Sequence, residues 1–336
     1  MSTEAYAVRC RVWRDGALVL DTDQAQDVVA HVQDRGTLVW VDLVDPSPAD
    51  VERLGQQLGL NATFVEDAVS PHERPKVVRH ADHVAFTAYG TSLAPDDAGV
   101  LSGAHGRLRT TRVSGFVLPA ALITVRSATG LQMAQVVTRW EDNPDLLRFG
   151  PGALLYGLLD HVVDSHFDTI QELDDHIEAL EDDLLDDGAP SPEFVRRLYW
   201  LRKDLVELRR VVLPMREVVN GLLRHRSGED GELGRWYDDL YDHVLRATEW
   251  TESLRDLVTT LFETNLSLQD IRLNVVMKKL AAWAAIIAVP TAVTGWFGQN
   301  VPYPGFSAES GVWESVALIL VLSVGLYVAF KRRDWL

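Results

Sequence analysis

The sequence predicts an α+β cytoplasmic domain followed by a long stalk helix and two transmembrane helices. Three observations predict it. Leu280 to Phe297 and Val316 to Phe330 are apolar and carry no charged side chain. Each, with its aromatic flanks, approaches the ~20 residues a membrane-spanning helix requires. The stretch from Glu232 to Pro290 has no interior proline and reads as one helix of about 58 residues, roughly 87 Å at 1.5 Å per residue. The first ~145 residues instead break into short β-forming runs separated by Pro and Gly turns.

Bulk composition narrows the function. The chain has 336 residues, 49 acidic against 32 basic, for a net charge of −17. That balance argues against a nucleic-acid partner and suits a cationic ligand. Mean hydropathy is near zero, because the apolar residues concentrate after Leu280. The single cysteine, Cys10, excludes an internal disulfide and a cysteine-rich zinc site. Met1 to Asp21 lacks an apolar core after a basic start, so no secretory signal is expected. The sequence has no phosphate-binding glycine loop and no nucleophile elbow, so neither an enzyme nor an organic cofactor is expected.

In chain order, residues 1–150 form the α/β part. Ala5–Trp13 and Thr37–Leu43 read as strands. Asp45-Pro46-Ser47-Pro48 turns into a helix over Ala49–Leu58 that Ser47 can cap. His83–Tyr89, Arg112–Leu118 and Ala121–Arg126 read as further strands, with Ser92–Arg109 as a polar, glycine-rich loop. Residues 151–231 form a helical hairpin. Leu154–Asp187 has no lysine or arginine and many acids. Asp187-Gly188-Ala189-Pro190-Ser191-Pro192 turns the chain, and Glu193–Arg226 is rich in arginine. Opposite charge should set which faces of the antiparallel pair meet, although exposed pairs contribute only ~0.2–1 kcal/mol each. The acidic helix can serve as a solvated face or concentrate cations. His161, His166 and His176 lack the spacing of a closed zinc site. Ser227–Gly234 is a polar linker.

Residues 232–298 are the stalk continuing as the first span, 299–312 an external loop, 313–331 the second span and 332–336 a basic tail. Lys278 and Lys279 precede the first span, and Lys331, Arg332 and Arg333 follow the second. The intervening loop has no lysine or arginine, so both termini are expected in the cytoplasm. Pro290, Thr291, Thr294 and Gly295 are unusual in a plain lipid-facing anchor. The small stripe Ala281, Ala284, Ala288, Thr291 and Gly295 fits helix packing or the lining of a pore made by several copies.

The chain strongly resembles the CorA-type divalent-cation transport family. Leu201–Leu222, Tyr241–Lys278 and the ending Lys331-Arg332-Arg333-Asp334-Trp335-Leu336 carry the likeness, as does Arg74-Pro75-Lys76. The family's Gly-Met-Asn signature stands here as Gly298-Gln299-Asn300. The resemblance implies a funnel-shaped homopentamer in the cell inner (plasma) membrane, passing Mg2+, with Co2+ or Ni2+ as further cargoes. It implies a selectivity filter of Gly298, Gln299 and Asn300, and a pore lined by Asn274, Met277, Leu280, Ala288, Thr291 and Gly295. It also implies regulatory Mg2+ held between subunits by Asp239 and Glu263 on the stalk helix, with Asp96 or Asp97 as the partner carboxylate. Unbound, such carboxylates repel and open the pore; a bound divalent ion closes it. The variable middle signature residue leaves a ZntB-like zinc transporter as an alternative. A non-conducting, membrane-anchored sensor or scaffold is a third.

Overall fold

The structure, a computed structural model, describes residues 7–23, 28–34, 36–71, 73–95, 106–185, 191–224, 231–299, 302, 305–306 and 308–336. Its strands are β1 (Ala7–Arg14), β2 (Ala17–Thr22), β3 (Leu38–Val44), β4 (Lys76–Arg79), β5 (Val84–Leu93), β6 (Leu108–Val117) and β7 (Ala121–Arg126). Its helices are α1 (Val28–Gln33), α2 (Pro48–Leu58), α3 (Ala62–Val69), α4 (Met133–Asp142), α5 (Pro144–Leu147), α6 (Pro151–Leu185), α7 (Pro192–Leu223), α8 (Gly231–Phe297) and α9 (Glu309–Arg332). Contacts divide the chain into two units, Met1–Thr259 and Thr260–Leu336, and the division falls within α8.

The first unit is built on a seven-stranded sheet in the order β2-β1-β3-β7-β6-β5-β4. All neighbours are antiparallel except β3 and β7. Side chains alternate across a pleated strand, and here both faces are covered. Val39, Val41 and Leu43 turn to one face, where Val8, Cys10, Ile123 and Val125 meet Val51, Val65 and Ala68 of α2 and α3. Trp40 and Leu122 turn to the other, against α4, α6, α7 and the first turns of α8. This explains why the central strands read as continuous apolar runs. The parallel pair is pinned by buried Asp42, which accepts from Thr124 at 2.6 Å and pairs with Arg126 at 2.8 Å.

Local chemistry sets the helix ends. Ser47 and Asp50 form a reciprocal capping box at the start of α2, and Gly59 closes that helix at φ 70°. Such a left-handed cap favours glycine. Ser191 accepts from the Phe194 amide at 3.1 Å and starts α7 with Pro192 at its first turn. On α6, Gly157 admits the indole of Trp140: a β-carbon there would lie 2.5 Å from Nε1. Trp140 in turn stands edge-on to Trp13 and Trp40, at 6.2 and 5.0 Å between centroids.

Several elements differ from the sequence expectation. β2, α1, α3, β4, α4 and α5 were not expected; most are short and offer little periodicity to read. The expected loop Ser92–Arg109 is shorter, because β5 runs to Leu93 and β6 begins at Leu108. The expected linker through Gly234 ends earlier, since α8 already begins at Gly231. The acidic α6 and the arginine-rich α7 both pack into the core of the sheet. Apolar faces carry the packing, and the charges disperse. Arg197 pairs with Asp183 across the hairpin at 2.9 Å, whereas Asp160 and Asp164 turn to Arg139 of α4, and Arg209 of α7 turns to Glu252 of α8.

In the second unit α8 and α9 are the long elements, and both are apolar and long enough to cross a membrane. Each has one narrow covered stripe. On α8 it runs through Ala282, Ile286, Val289 and Val293; on α9 through Ser315, Ile319, Ser323, Leu326 and Phe330. The remaining surface is bare and apolar, with Ile287 65 % and Val321 69 % exposed. An apolar surface that continuous marks a lipid or partner interface.

Candidate functional site

At 100° per residue, the face of α8 opposite its covered stripe carries Met277, Leu280, Ala288, Thr291 and Gly295, with Asn274 toward its edge. All six are exposed. Met277 is 62 % and Leu280 64 % exposed. The six expected pore-lining residues therefore share one uncovered side of one helix. A β-carbon on Gly295 would meet no atom within 4 Å. The chain's own packing thus gives no reason for glycine at that position.

Pro290 shapes the end of this helix. It cannot donate to the carbonyl four residues back, and its ring crowds that carbonyl. Downstream, the Thr294 hydroxyl donates to the Pro290 carbonyl at 2.8 Å, and the Thr291 hydroxyl to the Ile287 carbonyl at 3.3 Å. Back-bonding of this kind bends helices slightly. The helix closes with the Gly298 amide on the Thr294 carbonyl at 2.9 Å and the Gln299 amide on the Trp296 carbonyl at 3.3 Å. A β-carbon on residue 298 would lie 2.9 Å from that Thr294 oxygen, so the turn requires glycine. Gln299 is exposed. Asn300, the last member of the expected filter, lies outside the described residues.

Of the expected metal ligands, Asp239 and Glu263 lie among the described residues. Asp239 is on α8 in the first unit, 63 % exposed at its side chain, with His243 Nε2 at 3.8 Å. Glu263 is exposed on the part of α8 in the second unit. Asp96 and Asp97 lie outside the described residues. Among the described residues no group of three or more acid, histidine or cysteine side chains is arranged to hold a metal ion.

Asp239 and His243 border a cleft of ≈ 370 Å³ that also exposes Arg139, Tyr156, Asp160 and Asp164. Arg139 forks between two carboxylates one turn apart on α6, Nη1 on Asp160 and Nη2 on Asp164. Burial, then the charge of Asp164, pushes the Asp160 carboxyl up against the pull of Arg139, and Asp239 adds to that rise. Burial works against the Arg139 charge, yet the Asp164 hydrogen bond and both carboxylates leave its pKa raised. Sequence reasoning noted these acids only as part of a charged helix. The four-residue spacing of Asp160 and Asp164 was visible; their arginine, from another helix, was not.

The family model described as "CorA-like Mg2+ transporter protein" matches residues 35–332. The chain belongs to this family. It is 29 % identical over 316 residues to the cobalt/magnesium transport protein CorA of Thermotoga maritima, covering 92 % of this chain and 86 % of that one. It is 26 % identical over 314 residues to the zinc transport protein ZntB of Yersinia pseudotuberculosis, covering 88 % of each. Its fold matches the complete structure of the CorA magnesium transporter from Methanocaldococcus jannaschii with a TM-score of 0.76 at 22 % identity, over 99 % of this chain and 100 % of that one. The CorA-family chain is thus a divalent-cation transporter of the membrane, in a family of transporters and not of enzymes.

Proposed function

We propose that this CorA-family chain assembles as a homopentamer in the inner membrane and passes Mg2+ into the cell, with Co2+ or Ni2+ as further cargoes. The single observation that carries the reading is the uncovered face of α8. Met277, Leu280, Ala288, Thr291 and Gly295 are all exposed on the side opposite the covered stripe. The described residues of one chain hold two candidate spans, too few to enclose a path, so that face needs other copies to line one. A shared axis also gives a reason for Gly295, whose missing side chain no atom of this chain requires.

The chemistry suits a hydrated divalent ion. Mg2+ gives up its six waters reluctantly. A ring of Asn300 amides and Gly298 carbonyls offers neutral oxygens that hold the hydrated ion without trapping it. Asn274 contacts the ion below. Met277 and Leu280 close the path by dewetting. The membrane potential and concentration gradient supply the driving force. The basic residues Lys278, Lys279, Lys331, Arg332 and Arg333 keep both termini in the cytoplasm.

Cytoplasmic Mg2+ then closes the pore through Asp239 and Glu263 of one copy and Asp96 or Asp97 of the next. Supporting this, Asp239 and Glu263 are both exposed on α8. Zinc transport is the second reading, favoured by Gln299 at the position where the signature has methionine and by the likeness to ZntB.

Cysteine cross-linking tests the carrying observation. With Cys10 replaced by serine, Leu280→Cys should form oxidative cross-links between copies in membranes, and Val293→Cys should not. Equal cross-linking at both positions, or at Val293 alone, would remove the basis for a shared axis.

A further inference from the structure

Arg139 presents its two terminal nitrogens to Asp160 and Asp164, one each. The same cleft holds Asp239 and His243. Asp160 is largely withdrawn from water, at 21 % side-chain exposure, whereas Asp164 and Asp239 are open at 42 % and 63 %. The wall therefore has three carboxylates, of which two share one guanidinium from the chain itself. A fork-to-carboxylate arrangement of this kind is directional and charge-assisted. A soluble cation reaching the cleft meets the open carboxylate of Asp239 and, lining the same cleft, the positive charge of Arg139.

Resting on the gating reading above, we propose that Arg139 is a tethered counter-cation: it occupies Asp160 and Asp164, keeps them from metal, and so sets how much cytoplasmic Mg2+ the Asp239 site needs. Removing the guanidinium would leave two carboxylates beside Asp239 with no counter-ion, which strengthens attraction for a divalent ion. Removing the two carboxylate charges does the reverse, because the arginine is left unpaired beside Asp239 and repels the ion. The two changes act with opposite sign. A general loss of packing would not produce that pattern.

The test uses the full chain in detergent and reads the Mg2+ concentration that gives half-maximal protection from limited proteolysis. Arg139→Gln should lower that midpoint by about tenfold, the order expected for one charge in partly solvated surroundings. The double variant Asp160→Asn/Asp164→Asn should raise it by a similar factor, and Arg139→Lys should stay near wild type. Thermal unfolding without Mg2+ checks that each variant is folded, and the double variant carries the test if Arg139→Gln is not. A midpoint that is unmoved, or that moves in the same direction in both variants, overturns the proposal while leaving Mg2+ gating intact. A wild-type chain without Mg2+ protection overturns the gating reading as well.

Discussion

The Gly298 amide donates to the Thr294 carbonyl at 2.9 Å, and a β-carbon on residue 298 would stand equally close to the same oxygen. Only glycine closes the helix here without displacing the turn that leads into Gln299. Gly298→Ala is therefore expected to reduce Mg2+ flux in proteoliposomes by about tenfold or more, with the melting temperature of the chain nearly unchanged. Flux equal to wild type would show that the turn tolerates a side chain.

The exposed pair Met277 and Leu280 is read as the apolar constriction. Dewetting depends on the walls, so polar side chains should keep the path wet. Leu280→Asn is expected to leave a Mg2+ leak at internal Mg2+ concentrations that close the wild type. A variant that still closes fully would move the constriction elsewhere.

A different element holds the sheet to the hairpin. Asp204, buried on α7, accepts from the amides of Arg107 and Leu108 at 3.0 and 3.2 Å. Asp204→Ala leaves both without that acceptor, at about 2–5 kcal/mol for two buried amides. Burial raises the Asp204 carboxyl despite those two bonds. A raised carboxyl stabilises the fold at low pH, and that contribution is lost as pH rises through the folded value. In thermal melts across pH 3–7, the melting temperature of wild type relative to Asp204→Asn should therefore fall as pH rises.

His166 works in the opposite direction. Its ring is buried and its Nε2 donates to the Tyr89 carbonyl at 2.7 Å, and burial holds its pKa down to about 4. The neutral ring stabilises the fold fully above the ordinary value near 6.5, and this is lost as pH falls toward 4. This contribution is roughly 3 kcal/mol. His166→Gln, which can keep an N–H donor, should flatten the fall in melting temperature between pH 6.5 and 4. His83 and His161, also held low by burial, leave a residual slope. An unchanged profile would contradict this role for His166.

The sequence exposed those parts of the fold that a period can report. The charge-free runs after Leu280, the proline-free stretch before Pro290 and the Ser47 cap all announce themselves locally, and the structure has α8, α9 and α2 there. Four-residue β4 and six-residue α1 are too short to carry a period. Helical spacing announced the small stripe that ends in Ala288, Thr291 and Gly295, whereas Asn274, Met277 and Leu280 came from the family resemblance alone. Arg139 between Asp160 and Asp164 was not announced, because ion pairs between separate helices leave no local trace. Nor was the buried seat of Asp204, an acid on a helix that otherwise reads as basic and exposed.

The central proposal is conduction of Mg2+ through a ring of Gly298, Gln299 and Asn300. The most direct measurement is ion flux from the purified chain in proteoliposomes, across Mg2+, Co2+, Ni2+ and Zn2+, with and without Mg2+ on the cytoplasmic side. The expected result is Mg2+ influx that internal Mg2+ suppresses and that Asn300→Ala abolishes. Transport of Zn2+ alone, coupled to protons, or no flux of any of these ions, would contradict it.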